Sequence, residues 1–266
     1  MYPMSSREAD IRQERIKKRD QLVAAGMNPY TATCARTHDI KTLQTDFTRL
    51  VTDQATVTVA GRVMAMREHG GSVFLDLFDG SGRLQVFFSR RDMGEDSFTL
   101  LVDTIDAGDF IEVTGVPFVT RREVNTLAAT TWRVLTKTLQ AIPTEHFGLQ
   151  DEDERFRKRY LDLLLDEDLL ELFRRKERFW NVTRSYMKEH GFLEVETPTL
   201  EVTTGGAEAR PFATHHHDFD MDVYLRISIG ELWQKHLMAA GYSKVFEIGR
   251  AYRNEGTSPE HLQEFT

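Results

Sequence analysis

The residues best placed to do chemistry lie at the end of the chain. Val245 to Tyr252 reads as a strand, followed by Arg253-Asn254-Glu255-Gly256 and, across a polar turn, by His261-Leu262-Gln263-Glu264-Phe265-Thr266. A strand ending in Arg-x-Glu, a mobile loop, then a histidine and a phenylalanine suits a nucleotide clamp. Arginine presents a planar fork that matches phosphate oxygens. A carboxylate accepts from an exocyclic amine, and phenylalanine offers a face to a base. The same spacing also suits a charged hairpin in which Arg253 and Glu255, on one side of a strand, pair with neighbours. Other chemistry is thin. Of His215-His216-His217-Asp218, only His215 and His217 share a strand face, and zinc wants three or four protein ligands, so no metal site is expected. Asp151 to Glu154 and Asp166 to Asp168 read as helix-start charge. Cys34 has no activating neighbour in sequence.

Periodicity shows the elements that would position these groups. Arg7 to Ala25 reads as a helix stopped by Gly26, with Ile11, Ile16, Leu22 and Val23 as a loose apolar stripe. Its cations Arg12, Arg15, Lys17, Lys18 and Arg19 suit either a solvated face or a basic arm on RNA backbone. From Val51 the texture turns to β. Val57, Val59, Gly61 and Val63 alternate, and Val73 to Phe78 follows the Gly70-Gly71 turn. Asp79-Gly80-Ser81-Gly82 is a hairpin signal leading into Leu84 to Phe88. Ser97 to Ile105 reads as a short helix, and Asp109 to Val119 and Val124 to Leu135 as two more strands. That order, with a helix between the third and fourth strands, is an OB-fold, a small Greek-key barrel. Beyond Ile142-Pro143 the period becomes helical. Asp166 is a plausible N-cap, and Leu169, Leu172, Phe173, Phe179, Trp180, Thr183 and Met187 recur at spacings of three and four until Gly191. A long one-sided helix of this kind packs against something large, within the domain or on a second subunit.

Composition sets the outer bounds. The 266 residues are 40% hydrophobic and 29% charged, with one cysteine and a net charge of −8. No apolar run reaches membrane-span length, and the charged first twenty residues lack the centre of a signal peptide. A lone cysteine excludes an intrachain disulfide and suits a reducing cytosol. The acidic balance argues against indiscriminate nucleic-acid binding but leaves room for a local basic face.

Several stretches resemble one family. Tyr252-Arg253-Asn254-Glu255, with His261 and Phe265, resembles motif 2 of class II aminoacyl-tRNA synthetases. Gly191-Phe192-Leu193-Glu194-Val195-Glu196-Thr197-Pro198, after the long helix, resembles their motif 1. Arg159-Tyr160-Leu161-Asp162-Leu163 and Gly205-Gly206-Ala207-Glu208-Ala209-Arg210-Pro211-Phe212 resemble the lysine-specific members. So do Tyr224-Leu225-Arg226-Ile227 leading to Glu231-Leu232, and the opening, where Arg15 to Gly26 precedes Asn28-Pro29-Tyr30. The likeness runs through the whole chain in family order.

The resemblance to lysyl-tRNA synthetases implies an α+β fold: a five-stranded OB-fold barrel, then the first part of an antiparallel-sheet class II catalytic domain. The expected layout is a helical extension at 1–50, the anticodon-binding barrel at 51–142, a linker at 143–160 and a partial catalytic domain at 161–266. ATP and L-lysine are the implied substrates and tRNA(Lys) the implied partner, in a cytoplasmic homodimer with no membrane association. Arg253 should contact the ATP α-phosphate and the lysine carboxylate, Glu255 the adenine amine, Phe265 the adenine ring, and His261 the phosphates. Gly205 and Gly206 match a loop closing over the amino acid, and Glu231 the group holding its α-amine. Ser228-Ile229-Gly230 is one residue longer than the family spacing, which puts the placement of Glu231 in question. On the barrel, Phe74 matches the stacking aromatic, Gln85 a polar base reader and Glu123 an acidic one, with Arg62 a phosphate contact. Without the resemblance, Phe74 reads as an ordinary core residue. Mg2+ is expected with ATP, its ligands beyond Thr266. The sequence stops inside motif 2, before motif 3, so the chain by itself is expected to be inactive, with an unpaired sheet edge and poor solubility. Aspartyl- or asparaginyl-tRNA synthetases share the barrel and motifs, and a non-catalytic OB-fold RNA-binding module with a vestigial synthetase segment is a rival of another class.

Overall fold

A computed structural model describes residues 6–143, 149–256, 258 and 260–266. It divides into two compact units, Met1–Leu165 and Asp166–Thr266.

The first unit opens with helices α1 (Ser6–Ala24), α2 (Ile40–Thr45) and α3 (Phe47–Thr52). Strands β1 (Val57–His69), β2 (Ser72–Phe78) and β3 (Arg83–Ser89) follow, then α4 (Arg90–Met93) and α5 (Glu95–Thr104), then β4 (Phe110–Val119) and β5 (Asn125–Thr136). The strands close a barrel in the order β1-β2-β3-β5-β4, with β4 pairing back onto β1. The period-2 pattern dictates this arrangement. Val73, Leu75 and Leu77 of β2 and Leu84, Val86 and Phe88 of β3 fill the interior, while the residues between them face out. Phe74 is therefore not a core residue: it lies half-buried on the outer face. Asp79 organises the β2–β3 turn, accepting from the amides of Ser81 and Gly82 at 2.9 and 3.2 Å and from the amide of Ile40 at 2.9 Å.

Two of the basic residues of α1 fit neither the solvated face nor the RNA-binding arm. Arg15 is buried, donating to the carbonyls of Ala107, Thr138 and Gln140, and Lys18 pairs with Asp106 at 2.7 Å. These two cations dock the helix on the barrel, and Val23, expected in the apolar stripe, is exposed. Asp106 also accepts from the buried Lys137, which reaches Asp109 at 2.7 Å. Burial alone would raise the pKa of Asp106, but its hydrogen bonds to Lys137 and Lys18 outweigh that and hold it below the usual carboxylate range. Part of the expected linker, 144–148, lies outside the described residues. After it come α6 (Glu152–Arg157) and α7 (Arg159–Leu165), joined by the buried Asp162, which accepts from Arg155 at 2.9 Å and from Arg159.

The second unit begins with the long helix α8 (Glu167–Glu189), capped by the Asp166 side chain on the amide of Leu169 at 3.0 Å. Then come β6 (Leu193–Glu194), β7 (Leu200–Glu201), β8 (Ala213–His216), β9 (Met221–Leu225), α9 (Glu231–Ala239), β10 (Val245–Phe246), β11 (Ala251–Tyr252) and β12 (Glu264–Phe265). Strands β7-β9-β8 form an antiparallel sheet, β11 and β12 an antiparallel pair, and β10 runs parallel to β6.

The single strand expected over Val245 to Tyr252 is broken in two, and the reason is Arg226. Its guanidinium, nearly fully buried, donates to Arg250 O at 2.7 Å, to Thr197 and to Glu247 Oε1 at 2.6 Å. That cluster occupies the space beside Gly249, where a Cβ would overlap the guanidinium and lie 2.8 Å from Glu247 Oε1. The chain bends around the buried charge instead of continuing its ladder.

Candidate functional site

Arg253 sits where β11 ends. Its amide donates to Gln263 O at 2.8 Å, which extends the β11–β12 pairing by one rung. Its side chain is half-buried: Nε donates to Ile227 O at 3.3 Å and the guanidinium lies 5.1 Å from the centre of the Phe265 ring. A cation over an aromatic face is held without being neutralised. The guanidinium therefore keeps its charge and most of its donors for a ligand. Arg253, Glu255, His261 and Phe265 together line a cavity of about 350 Å³ with Gly256, Glu260, Leu262 and Gln263. All four nucleotide candidates face one space. His261 is turned back on its own loop, its Nδ1 2.8 Å from the Ser258 hydroxyl.

The amino-acid candidates form a second group beside the first. Ser228 donates to Gly205 O at 3.0 Å. A Cβ on Gly205 would come within 2.9 Å of Leu232, and one on Gly206 would overlap Ser228 Oγ and stand 2.5 Å from Glu231 Oε2. Gly206 also has a φ of +87°. Only glycines allow this loop to lie against the start of α9. Gly230 takes the left-handed turn immediately before Glu231, so the longer Ser228-Ile229-Gly230 segment leads into the first residue of α9. Glu231 there faces Gly206 and pairs with Lys235 at 2.8 Å. Ile227 connects the two groups, its carbonyl receiving Arg253 one residue before Ser228.

On the barrel, Phe74 and Gln85 share the outer face of β2 and β3, where Gln85 pairs with Asp76, two residues from Phe74. Thr126 donates to Gln85 Oε1 at 3.0 Å. Two rings missed in the sequence extend this face. Phe87 lies 5.0 Å from Phe74, and Phe118 lies 6.1 Å from Phe87. Glu123 is exposed at the β4–β5 turn, with a φ of 60°. Arg62 stands apart. It pairs with Phe78, four residues along β2 from Phe74, or about 13 Å at the rise of a strand. Its guanidinium donates to Gly108 O at 3.0 Å and lies 4.3 Å from the centre of the Phe110 ring, and burial lowers its pKa.

Among the described residues no three His, Cys, Asp or Glu side chains converge to hold a metal ion. His215 is flanked by Asp222 at 3.0 Å and Asp220 at 3.3 Å. Burial raises the thiol pKa of Cys34, which is the opposite of activation.

Both parts of the chain match known families. Residues 57–135 match the family described as OB-fold nucleic acid binding domain, and residues 151–266 match tRNA synthetases class II (D, K and N). A lysine–tRNA ligase of Roseiflexus sp. (strain RS-1) is 40% identical over 258 residues, covering 97% of this chain and 53% of that protein. One of Pelotomaculum thermopropionicum is 38% identical over 265 residues, covering 98% and 52%, and one of Thermosynechococcus vestitus is 39% identical over 273 residues, covering 100% and 54%. The chain is thus similar to lysine–tRNA ligases over nearly its whole length, with a class II tRNA synthetase match across residues 151–266. It spans about half the length of the curated relatives it matches. Within a lysyl-tRNA synthetase frame, Ser228, Arg210, Phe87 and Phe118 are the site neighbours that the sequence did not reveal. Ser228 reaches Gly205 O, and the amide and carbonyl of Arg210 meet the Glu255 carboxylate and the Asn254 amide, all across more than twenty residues of sequence. The two rings sit in alternating strands, where an outward phenylalanine reads like an inward one.

Proposed function

We propose that this chain supplies the anticodon-reading barrel and the nucleotide-binding part of the catalytic domain of a lysine–tRNA ligase, which activates L-lysine with ATP and transfers it to tRNA(Lys). The observation that carries the proposal is the convergence of Arg253, Glu255, His261 and Phe265 on one cavity, joined through Ile227 and Ser228 to Gly205, Gly206 and Glu231.

The chemistry needs no protein nucleophile. The lysine carboxylate is an anion, and one of its oxygens attacks the α-phosphorus of ATP as the bond to the β-phosphate bridging oxygen breaks. Lysyl-adenylate and pyrophosphate result. Two anions must be brought together, so alignment and charge neutralisation lower the barrier. Arg253 does both by bridging them. Phe265 stacks on adenine, the free oxygen of Glu255 accepts from its amine, and Glu231 holds the lysine α-amine. Mg2+, when bound with ATP, shares the phosphate charge. On the barrel, Phe74 stacks a base and Gln85 and Glu123 read its edge. Uridine suits a carboxylate because its ring N–H donates, whereas cytosine presents an acceptor there. The phosphate role for Arg62 is the weakest of the four, because that side chain already has partners.

The same reading makes the protein a cytoplasmic homodimer built on α8, whose Leu172, Phe173, Phe179, Val182 and Tyr186 are exposed. No helix is long and apolar enough to cross a membrane among the described residues. Exchange of pyrophosphate into ATP, run on protein from its native source with lysine, aspartate and asparagine in turn, tests the activity. Exchange with lysine alone is expected. Exchange with aspartate or asparagine would move the protein within the family, and none with any of the three would leave a non-catalytic RNA-binding module.

A further inference from the structure

The loop that carries Gly205 and Gly206 is fastened at both ends, to two different parts of the site. At one end Gly205 O receives the Ser228 hydroxyl at 3.0 Å, and Gly206 presses against Glu231. At the other end Arg210 is joined to the nucleotide strand by two rungs. Asn254 donates its amide to Arg210 O at 2.7 Å, and the amide of Arg210 donates to Glu255 Oε1 at 3.3 Å. Pro211 disfavours the helical region for the residue before it, so Arg210 offers its N–H and C=O in an extended, strand-like form. Beyond it, Phe212 O accepts from Leu225 at 2.9 Å and leads the chain into β8. The loop is thus a strap, anchored at its start beside the amino-acid candidates and at its finish on the carboxylate that faces the adenine candidates.

We infer that the Arg210 backbone is a positioning element that couples the two substrate sites: nucleotide bound at Glu255 holds the strap down over the amino acid. The inference rests on the nucleotide reading of the Arg253 cavity and deepens it. Glu255 is exposed, and its bond to Arg210 is the longer of the two rungs, so this rung is the one weakly held without ligand. A carboxylate whose second oxygen is taken by an adenine amine loses its freedom to rotate away. Its first oxygen then stays on the Arg210 amide. By linkage, whatever nucleotide does for the strap the closed strap does for nucleotide. The guanidinium of Arg210, exposed on this strap, plays no part in the coupling.

Amide hydrogen exchange of the strap, with nucleotide affinity measured by titration on the same chain, tests the inference. A saturating non-hydrolysable ATP analogue is expected to slow exchange at residues 206–210 by about tenfold or more, reporting local closing. The matching GTP analogue carries a carbonyl where adenine has its amine. It should leave exchange within about twofold of the unliganded value even where its phosphates bind. Arg210→Ala keeps the amide and should preserve the protection. Arg210→Pro removes the amide and should abolish protection at residues 206–209, and ATP affinity should fall by the matching factor, about tenfold. ATP-analogue binding without strap protection, equal protection by the GTP analogue, or full protection in Arg210→Pro would each overturn the coupling and leave the nucleotide site standing. Absence of binding by either analogue would remove the nucleotide reading, and the coupling with it.

Discussion

Lys137→Met tests the buried charge cluster that ties α1 to the barrel. The Lys137 and Asp109 side chains are fully buried, with the ammonium 2.5 Å from Asp106 and 2.7 Å from Asp109. Methionine of similar length removes the charge without opening a void. Asp109 keeps donors from the Thr138 amide, the Thr138 hydroxyl and the Asp106 amide, at 2.8 Å each, but its charge loses its counterion. Breaking a buried pair from one side costs about 3–5 kcal/mol. At about 2–4 °C per kcal/mol for a unit of this size, the barrel should melt about 6–20 °C lower near neutral pH. The sign of the pH dependence follows from Asp106, whose folded pKa is depressed from 3.8. Its contribution is complete above that value and lost as pH falls through the lower folded value. In the variant the Lys137 bond is gone and the depression shrinks. The gap between parent and variant should therefore narrow as pH drops below 3.8. Thermal unfolding followed by near-UV circular dichroism at stepped pH measures both effects. A shift under about 2 °C, or a gap that widens on acidification, would refute the reasoning.

Three further outcomes follow. Phe74→Ala should weaken binding of an anticodon stem-loop of uridines by about 1–3 kcal/mol, roughly 5- to 150-fold by fluorescence anisotropy, with little change in melting because the ring lies outside the core. Gly206→Ala forces a side chain into Ser228 and Glu231 at a φ of +87° and should lower lysine-dependent pyrophosphate exchange by about a hundredfold in native-source protein. Burial raises the pKa of Glu201, with Arg226 opposing, so its charged form is disfavoured in the fold above the unfolded pKa. Glu201→Gln should therefore stabilise the second unit near neutral pH and lose that advantage in acid, as read by urea midpoints at two pH values.

The barrel was legible because its strands alternate: Val73, Leu75 and Leu77 announce one face of β2, and the Asp79-Gly80-Ser81-Gly82 turn sets its register with β3. The long helix was legible from its spacing and its Asp166 cap. What could not be read depends on partners far along the chain. The break at Gly249 is imposed by Arg226 from another strand. Arg15 looks like one more surface cation until Ala107, Thr138 and Gln140 bring it their carbonyls. The strap is invisible for the same reason: Arg210 and Asn254 become neighbours only when β9 and β11 are in place.

The most direct test of the synthetase reading is the affinity of a non-hydrolysable ATP analogue for the chain and for its Arg253→Ala variant, by calorimetric titration. Binding to the parent that falls about tenfold or more in the variant, with circular dichroism unchanged, is the predicted result. A parent that takes up no nucleotide, or a variant that binds as tightly as the parent, would contradict the role given to Arg253.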